Sequence, residues 1–215
     1  MLTVDVISDV VCPWCFIGKR RLEAALKTYA EQHPDEPAPR VTWRPFQLNP
    51  DLPAEGISRA DYIRAKFGPQ GMKNYDRVAA VGQTVGIPFA FDKIVRQPNS
   101  LAAHSLIGMA APGPQQDRVK ETLLNAYFIE GADLTDEATL VALAERGGLD
   151  PEAARRTLHD ADARAAIGAA DEEARAMGVS GVPYFIFNHK VALSGAHEPE
   201  TMLDAIAQSE QSETA

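Results

Sequence analysis

The sequence predicts an α/β fold in which a β-α-β unit near the N-terminus and a β-β-α unit near the C-terminus share one sheet, split by a long helical block. Three observations carry this. "LTVDVIS" (2–8) alternates and is rich in β-branched residues, as strands are. "VPYFIF" and "VALSG" flank "NHK" near the C-terminus and read as a hairpin with a short turn. Between 58 and 177 the pattern is mostly helical and broken by turn residues.

Each element has a local reason. After the first strand, 13–33 reads as a helix with Ile17, Leu22, Ala25 and Leu26 on one face, and "DEPAP" ends it. "VTWRPFQL" (41–48) is a second strand, with Pro45 pointing to a bulge or an edge. The helix between them is long enough for a right-handed parallel crossover. The middle block reads as helices over 58–67, 69–85, 99–111, 115–130, 136–147 and 151–177. "FGPQG" is read as a loop between the first two. Asp136 is placed as one N-cap, and Asp150-Pro151 as an N-cap followed by a first-turn proline. A last helix is expected over 199–207, followed by a frayed "QSEQSETA" tail. Neither half-sheet would be stable alone. The expected division is therefore 1–55 plus 178–215 as the sheet domain and 56–177 as a large all-helical insertion.

The chain has 215 residues, 45% hydrophobic and 24% charged, which fits a soluble globular protein. A net charge of -9 repels phosphate backbones and anionic lipid, so neither nucleic acid nor membrane is an expected partner. No apolar run reaches the ~18 residues that suggest a membrane span. "MLTVDVISDVV" lacks the basic start and the cleavage site of a signal peptide, and the expected compartment is a reducing cytoplasm.

The two cysteines of the chain are three positions apart in "VCPWCFIGK". With the strand-to-helix junction at Cys12, that residue is the N-cap, Pro13 is N1, Trp14 is N2 and Cys15 is N3. The Cys12 sulfur then faces the free amides of Trp14 and Cys15 at the positive end of the helix dipole, which favours the thiolate. Cys15 lies one turn along and further inside, within disulfide reach. Cys12 is thus expected to be the exposed attacking thiolate and Cys15 the buried resolving thiol. A structural disulfide would close too small a loop to remove much chain entropy. Zinc would need two further ligands, and the five histidines (His33, His104, His159, His189, His197) show no matching spacing, so no metal is expected. Two incidental core cysteines would not call for Pro-Trp between them.

Cys12-Pro13-Trp14-Cys15 after the first strand, with "GVSGVPYFIF" near the end, resembles thioredoxin-fold proteins of the DsbA type. The closer similarity is to the FrnE-like branch, often grouped with 2-hydroxychromene-2-carboxylate isomerases. "RPFQLNPDLP", "PNSLAAHSL", "NAYFIEGADLTD" and "LSGA" extend it over nearly the whole chain. The resemblance implies a thioredoxin fold (β-α-β … β-β-α) with a helical insertion. It also implies a cis peptide between Val182 and Pro183 facing the cysteines, where residues alone would equally allow a trans proline at a strand start. It implies a thiol–disulfide oxidoreductase whose partner is a disulfide- or thiol-bearing protein or small molecule; no bound cofactor is expected, and glutathione is a candidate co-substrate. Val182 and Pro183 are the implied substrate contacts, and Pro13 and Trp14 are candidate contacts from their place between the thiols, Trp14 equally as a residue that tunes the helix end. Asn99 and His104 are further candidates, set against an N-cap region and an ordinary helical histidine. Isomerases and kappa-class glutathione transferases of this fold carry serine where this chain has Cys12. The alternative reading, a glutathione-dependent isomerase or transferase acting on a small aromatic or polyketide-like molecule, leaves Cys15 without a role. A third is a binding or chaperone-like module that keeps the fold without turnover. Lys19, Arg20 and Arg21 read as a solvated helix face.

Overall fold

The computed structural model describes residues 1–68 and 71–211. Its main sheet has four strands in the order β2-β1-β5-β6. These are β1 (Thr3–Ser8), β2 (Arg40–Pro45), β5 (Tyr184–Phe187) and β6 (Val191–Ser194). β1 runs parallel to β2, Thr3 opposite Arg40, and antiparallel to β5, Val4 opposite Phe187. β6 closes the sheet antiparallel to β5. This is the thioredoxin arrangement. β1 is central and buried from Val4 to Ser8. β2 is an edge strand that ends at Pro45, as a proline without an N–H requires. The β5–β6 turn places Asn188 and His189 at φ 49° and 57°, the left-handed pair of a tight hairpin. Phe185 and Phe187 alternate inward and are fully buried.

Helix α1 (Pro13–Gln32) follows β1 and buries Phe16, Ile17, Leu22 and Ala25. Helix α9 (Pro199–Gln211) packs beside it. It continues four residues beyond the expected end, because Ile206 and Ser209 are buried and hold its last turn down. The rest of the tail, 212–215, lies outside the described residues.

Residues between β2 and β5 form α2 (Arg59–Phe67), α3 (Gly71–Thr84), α4 (Leu101–Met109), α5 (Pro114–Asn125), α6 (Glu137–Arg146), α7 (Pro151–His159) and α8 (Ala161–Ala176). Residues 69 and 70 of "FGPQG" are also outside the described set. Two short strands, β3 (Ile57–Ser58) and β4 (Arg96–Gln97), form a small antiparallel ladder within this block. The helix expected over 115–130 changes to a π-helical turn at Ala126–Glu130, which Gly131 closes at φ 77°. The helix expected over 151–177 is two helices. Asp160 ends one and caps the next, accepting from the Asp162 and Ala163 amides at 2.9 and 3.3 Å. Asp136 and Asp150 cap as expected, accepting from Thr139 N at 2.8 Å and Ala153 N at 2.7 Å.

The insertion is joined to the sheet by polar contacts as well as apolar ones. Trp43 on β2 donates from its backbone N to Gln116 Oε1 at 2.8 Å and from its indole to Asp117 Oδ1 at 3.1 Å, both on α5. On the other face Ile7 and Phe46 pack with Ala174 and Val179, and Asp171 of α8 accepts from Gln47 N at 2.8 Å.

Candidate active site

The sequence places Cys12 where β1 hands over to α1, and the structure keeps it there. Cys12 is the N-cap in extended backbone (φ −97°, ψ 112°), and Pro13 opens the helix. Cys15 begins the i→i−3 pattern with its amide 3.0 Å from the Cys12 carbonyl. Both cysteines are free thiols.

One expectation needs correcting. Cys12 is not an exposed thiol: it is 5% accessible and Cys15 is 1%. Half-buried Pro13 and Trp14 flank it, and Val182 faces it across the gap, its carbonyl 3.6 Å from Cys12 Sγ as acceptor. The sulfur also makes no capping hydrogen bond of good geometry to the first-turn amides, because it is turned toward Val182 instead.

The two thiols are electrostatically unequal. The hydrogen bond from Cys15 is the largest influence on Cys12 and favours its thiolate. Burial opposes that, the Cys15 and Trp14 amides assist, and the charge of Asp9 opposes; the net pKa is lowered. Burial dominates for Cys15, the Cys12 thiolate adds to it, and its pKa is raised well above the ordinary thiol value.

Val182-Pro183 is cis. Pro183 accepts from Gly195 N at 2.8 Å through its carbonyl. A Cβ on Gly18 of α1 would lie 2.9 Å from Pro183 Cγ and 3.0 Å from Phe185 Cζ. Gly18 therefore lets the cis-proline loop approach the helix that carries the cysteines.

Cys12, Pro13, Trp14 and Val182 border one cleft of about 550 Å³. Its far wall comes from the insertion: Tyr62 and Lys66 of α2, Tyr75 and Val78 of α3. Lys66 donates to Tyr62 Oη at 2.7 Å. Spacing alone could not assign these wall residues to the site, since they are distant in sequence and belong to ordinary amphipathic helices.

Asn99 and His104 lie elsewhere. Asn99 fastens the 47–52 loop to α4: Oδ1 accepts from Gln47 Nε2 and Leu101 N, each at 3.0 Å, and Nδ2 donates to the Pro50 and Leu52 carbonyls at 3.2 and 2.7 Å. His104 is buried beneath the cysteine turn with Nε2 3.3 Å from Asp9 Oδ1. Asp9, absent from the candidates drawn from sequence, is fully buried there and also accepts from Val11 N at 3.3 Å and Leu48 N at 2.8 Å. Burial raises its pKa, but the hydrogen bond and charge of His104 and the Leu48 amide outweigh it, and the net pKa is lowered. The signal for Asp9 was its place three residues before Cys12 in "SDVVCPWC".

Lys19, expected on a solvated face, is 1% exposed and paired with Asp117 and Glu121 at 3.1 and 3.0 Å and with Glu23. Arg20 pairs with Glu121 and Glu23, and Arg21 with Glu198. These cations anchor α1 instead of serving the thiols. Among the described residues no group of three or more His, Cys, Asp or Glu side chains is placed to hold a metal ion, and no helix is long and apolar enough to cross a membrane.

A thioredoxin sheet whose first helix opens on a paired-cysteine turn facing a cis-proline, with a helical block between β2 and β5, has the arrangement of the DsbA-like proteins. The family model for the DsbA-like thioredoxin domain matches residues 3–207, and the chain belongs to that family. A probable DsbA oxidoreductase from Streptomyces coelicolor superposes with a TM-score of 0.87 at 25% identity, covering 100% of this chain and 92% of its own. A 2-hydroxychromene-2-carboxylate isomerase shares the fold at a TM-score of 0.68 and 18% identity, over 98% of this chain and 97% of its own. The uncharacterized protein YwbO of Bacillus subtilis is 26% identical over 209 residues, 95% of each chain.

Proposed function

We propose that this protein is a thiol–disulfide oxidoreductase acting by mixed-disulfide exchange through Cys12 and Cys15, in a reducing compartment such as the cytoplasm. The observation that carries the reading is the placement of the two free thiols, Cys12 at the start of α1 bordering the cleft and Cys15 one turn further in and outside its lining, with the lowered pKa of Cys12 and the raised pKa of Cys15 in keeping with it. The Cys12 thiolate attacks a substrate disulfide, and one substrate sulfur leaves as thiolate. Cys15 then attacks Cys12 Sγ, which releases the second substrate sulfur and leaves a Cys12–Cys15 disulfide. In the opposite direction a substrate thiolate attacks that disulfide. Trp14 and Val182 border the substrate, and Pro183 holds Val182 opposite the sulfur. Asn99 and His104 act behind the site, on the loop and on Asp9.

Insulin reduction and oxidative refolding of a reduced disulfide protein test this. Cys12→Ser abolishes both, and Cys15→Ser accumulates mixed disulfides that can be seen by mass spectrometry. Activity that survives both changes refutes the reading.

A second reading is favoured by the cleft's far wall, where Tyr62, Tyr75 and Lys66 suit a small anionic or aromatic ligand. It is a glutathione-dependent isomerase or transferase. It expects saturable glutathione binding by calorimetry that persists in Cys15→Ser, together with no disulfide exchange.

A further inference from the structure

Two charged side chains line the cleft beside Cys12, Lys66 of α2 and Arg77 of α3, and among the described residues no aspartate or glutamate borders it. In a chain of net charge -9, a wall that carries cations alone runs against the average. Both cations are exposed, and neither is paired with a carboxylate among the described residues. Lys66 Nζ instead donates to Tyr62 Oη at 2.7 Å and lies 5.2 Å from that ring. Because the phenol oxygen accepts from the ammonium, it keeps its own O–H for a partner. A third cation stands behind the wall. Arg59 opens α2, is 5% exposed and has no carboxylate partner among the described residues. Its guanidinium lies 5.3 Å from the centre of the Tyr62 ring and 4.8 Å from that of Tyr75, and it donates to Gln97 Oε1. Arg59 Nε and Gln97 Nε2 are buried without a hydrogen-bond partner. A cation in the first turn of a helix also meets the positive end of the dipole, and a buried charge without a counter-ion is costly. Both rings that Arg59 backs line the cleft.

Cations and hydrogen-bond donors therefore converge on the wall opposite Cys12. The complement of such a wall is a group with negative charge and acceptor oxygens. The cleft volume of about 550 Å³ suits a low-mass molecule. We propose that the cleft selects low-mass disulfides bearing a carboxylate near the reacting sulfur, with Lys66 and Arg77 receiving the carboxylate and Arg59 setting the charge of the wall through Tyr62 and Tyr75. This rests on the thiol–disulfide reading above and names its substrate class. The Cys12 thiolate bonds to the substrate sulfur that carries the acidic arm. The other substrate sulfur leaves with the electron pair as thiolate. A neutral disulfide gains nothing from the wall, and a cationic one is repelled. The charge of the whole chain would favour the opposite order, so the preference tests the local cations and not the net field.

Pyridyl disulfides of mercaptopropionate, mercaptoethanol and cysteamine share one leaving group and differ in charge. Mixed with the reduced protein, each releases pyridinethione as Cys12 bonds to its other sulfur, and absorbance gives the rate. Dividing each rate by that of the same probe with free mercaptoethanol removes its intrinsic reactivity. At low salt the anionic probe should react roughly tenfold faster than the neutral one, with the cationic probe slowest. Added salt should shrink this advantage, because Lys66 and Arg77 are exposed and screened. Lys66→Gln and Arg77→Gln should each lower the anionic-to-neutral ratio roughly threefold. Arg59→Gln should lower it too, and Arg59→Lys should restore part of it. A general loss of Cys12 reactivity slows all three probes alike, so a merely structural role would leave the ratio where it was. Where Arg59→Gln does not fold, the double variant Lys66→Gln/Arg77→Gln decides. Equal rates for the three probes, a preference for the cationic one, or an unchanged ratio in the double variant overturns the proposal. No release from any probe would instead be the failure of the thiol–disulfide reading, and this proposal would fall with it.

Discussion

Cys12 balances a hydrogen bond from its partner thiol against burial and the charge of Asp9, and the hydrogen bond wins. The sign matters for pH. A thiol lowered in the folded state stabilises the reduced protein fully above its unfolded value of 9.0, and that contribution is lost as pH falls through the folded pKa. Iodoacetamide should therefore alkylate Cys12 at a rate that stays level as pH drops below 9.0, where a free cysteine would slow, and that declines only below the lowered pKa. Peptide mapping should show Cys15 unlabelled throughout, because it is buried and its pKa is raised. A Cys12 rate still rising through pH 9.0 would remove the electrostatic basis of the site. At this scale the sequence revealed the cysteine pair and its order, because proline at N1 fixes the register of the turn. It could not reveal that Lys120 of α5 is fully buried. A lysine in "DRVKETLLN" looks like any solvated helical lysine, and only the packing of α5 against β2 turns it inward.

Helix α1 carries the reactive turn, and its position depends on close approach at Gly18. Replacing that glycine by alanine has two opposed effects. Helix propensity improves by about 1 kcal/mol. The new Cβ, however, meets Pro183 Cγ at 2.9 Å and Phe185 Cζ at 3.0 Å, and overpacking of this kind costs roughly 1–3 kcal/mol. Neither a proline ring nor a buried phenylalanine can swing aside. We expect Gly18→Ala to be destabilising by about 1 kcal/mol in urea titration and to slow the reaction of Cys12, since the cis-proline loop must retreat from it. A more stable Gly18→Ala protein would show that the loop yields freely. The elements themselves were largely legible where apolar periodicity was strong or a cap was present, as at Asp136 and Asp150. Their joints were less so. Asp160 sits within a run of helix formers, and its capping role shows only once the chain bends there. The β3–β4 ladder is too short to leave a period-2 pattern.

At the scale of the molecule, the helical insertion and the sheet are held together by a charged seam. Lys19 and Arg20 of α1 meet Asp117 and Glu121 of α5, beside Trp43 of β2. Burial would raise the Glu121 pKa, but hydrogen bonds and charge from Arg20 and Lys19 bring it to about 2, from an ordinary 4.5. A depressed carboxylate stabilises the fold above pH 4.5, and that stability is lost as pH falls toward 2. Removing the charge leaves Lys19, only 1% exposed, with one fewer partner in a site where an unmatched ammonium is expensive. Glu121→Gln should cost about 2 kcal/mol at pH 7 and flatten the stability profile between pH 4.5 and 2. Fluorescence can follow this at both ends of the seam, because the two tryptophans are Trp14 at the reactive turn and Trp43 at the junction with α5. If the seam couples the halves, the urea transition of Glu121→Gln moves as one, with both tryptophans and far-ultraviolet circular dichroism losing structure together. If the insertion instead melts ahead of the sheet, Trp43 reports an earlier transition than the strands do.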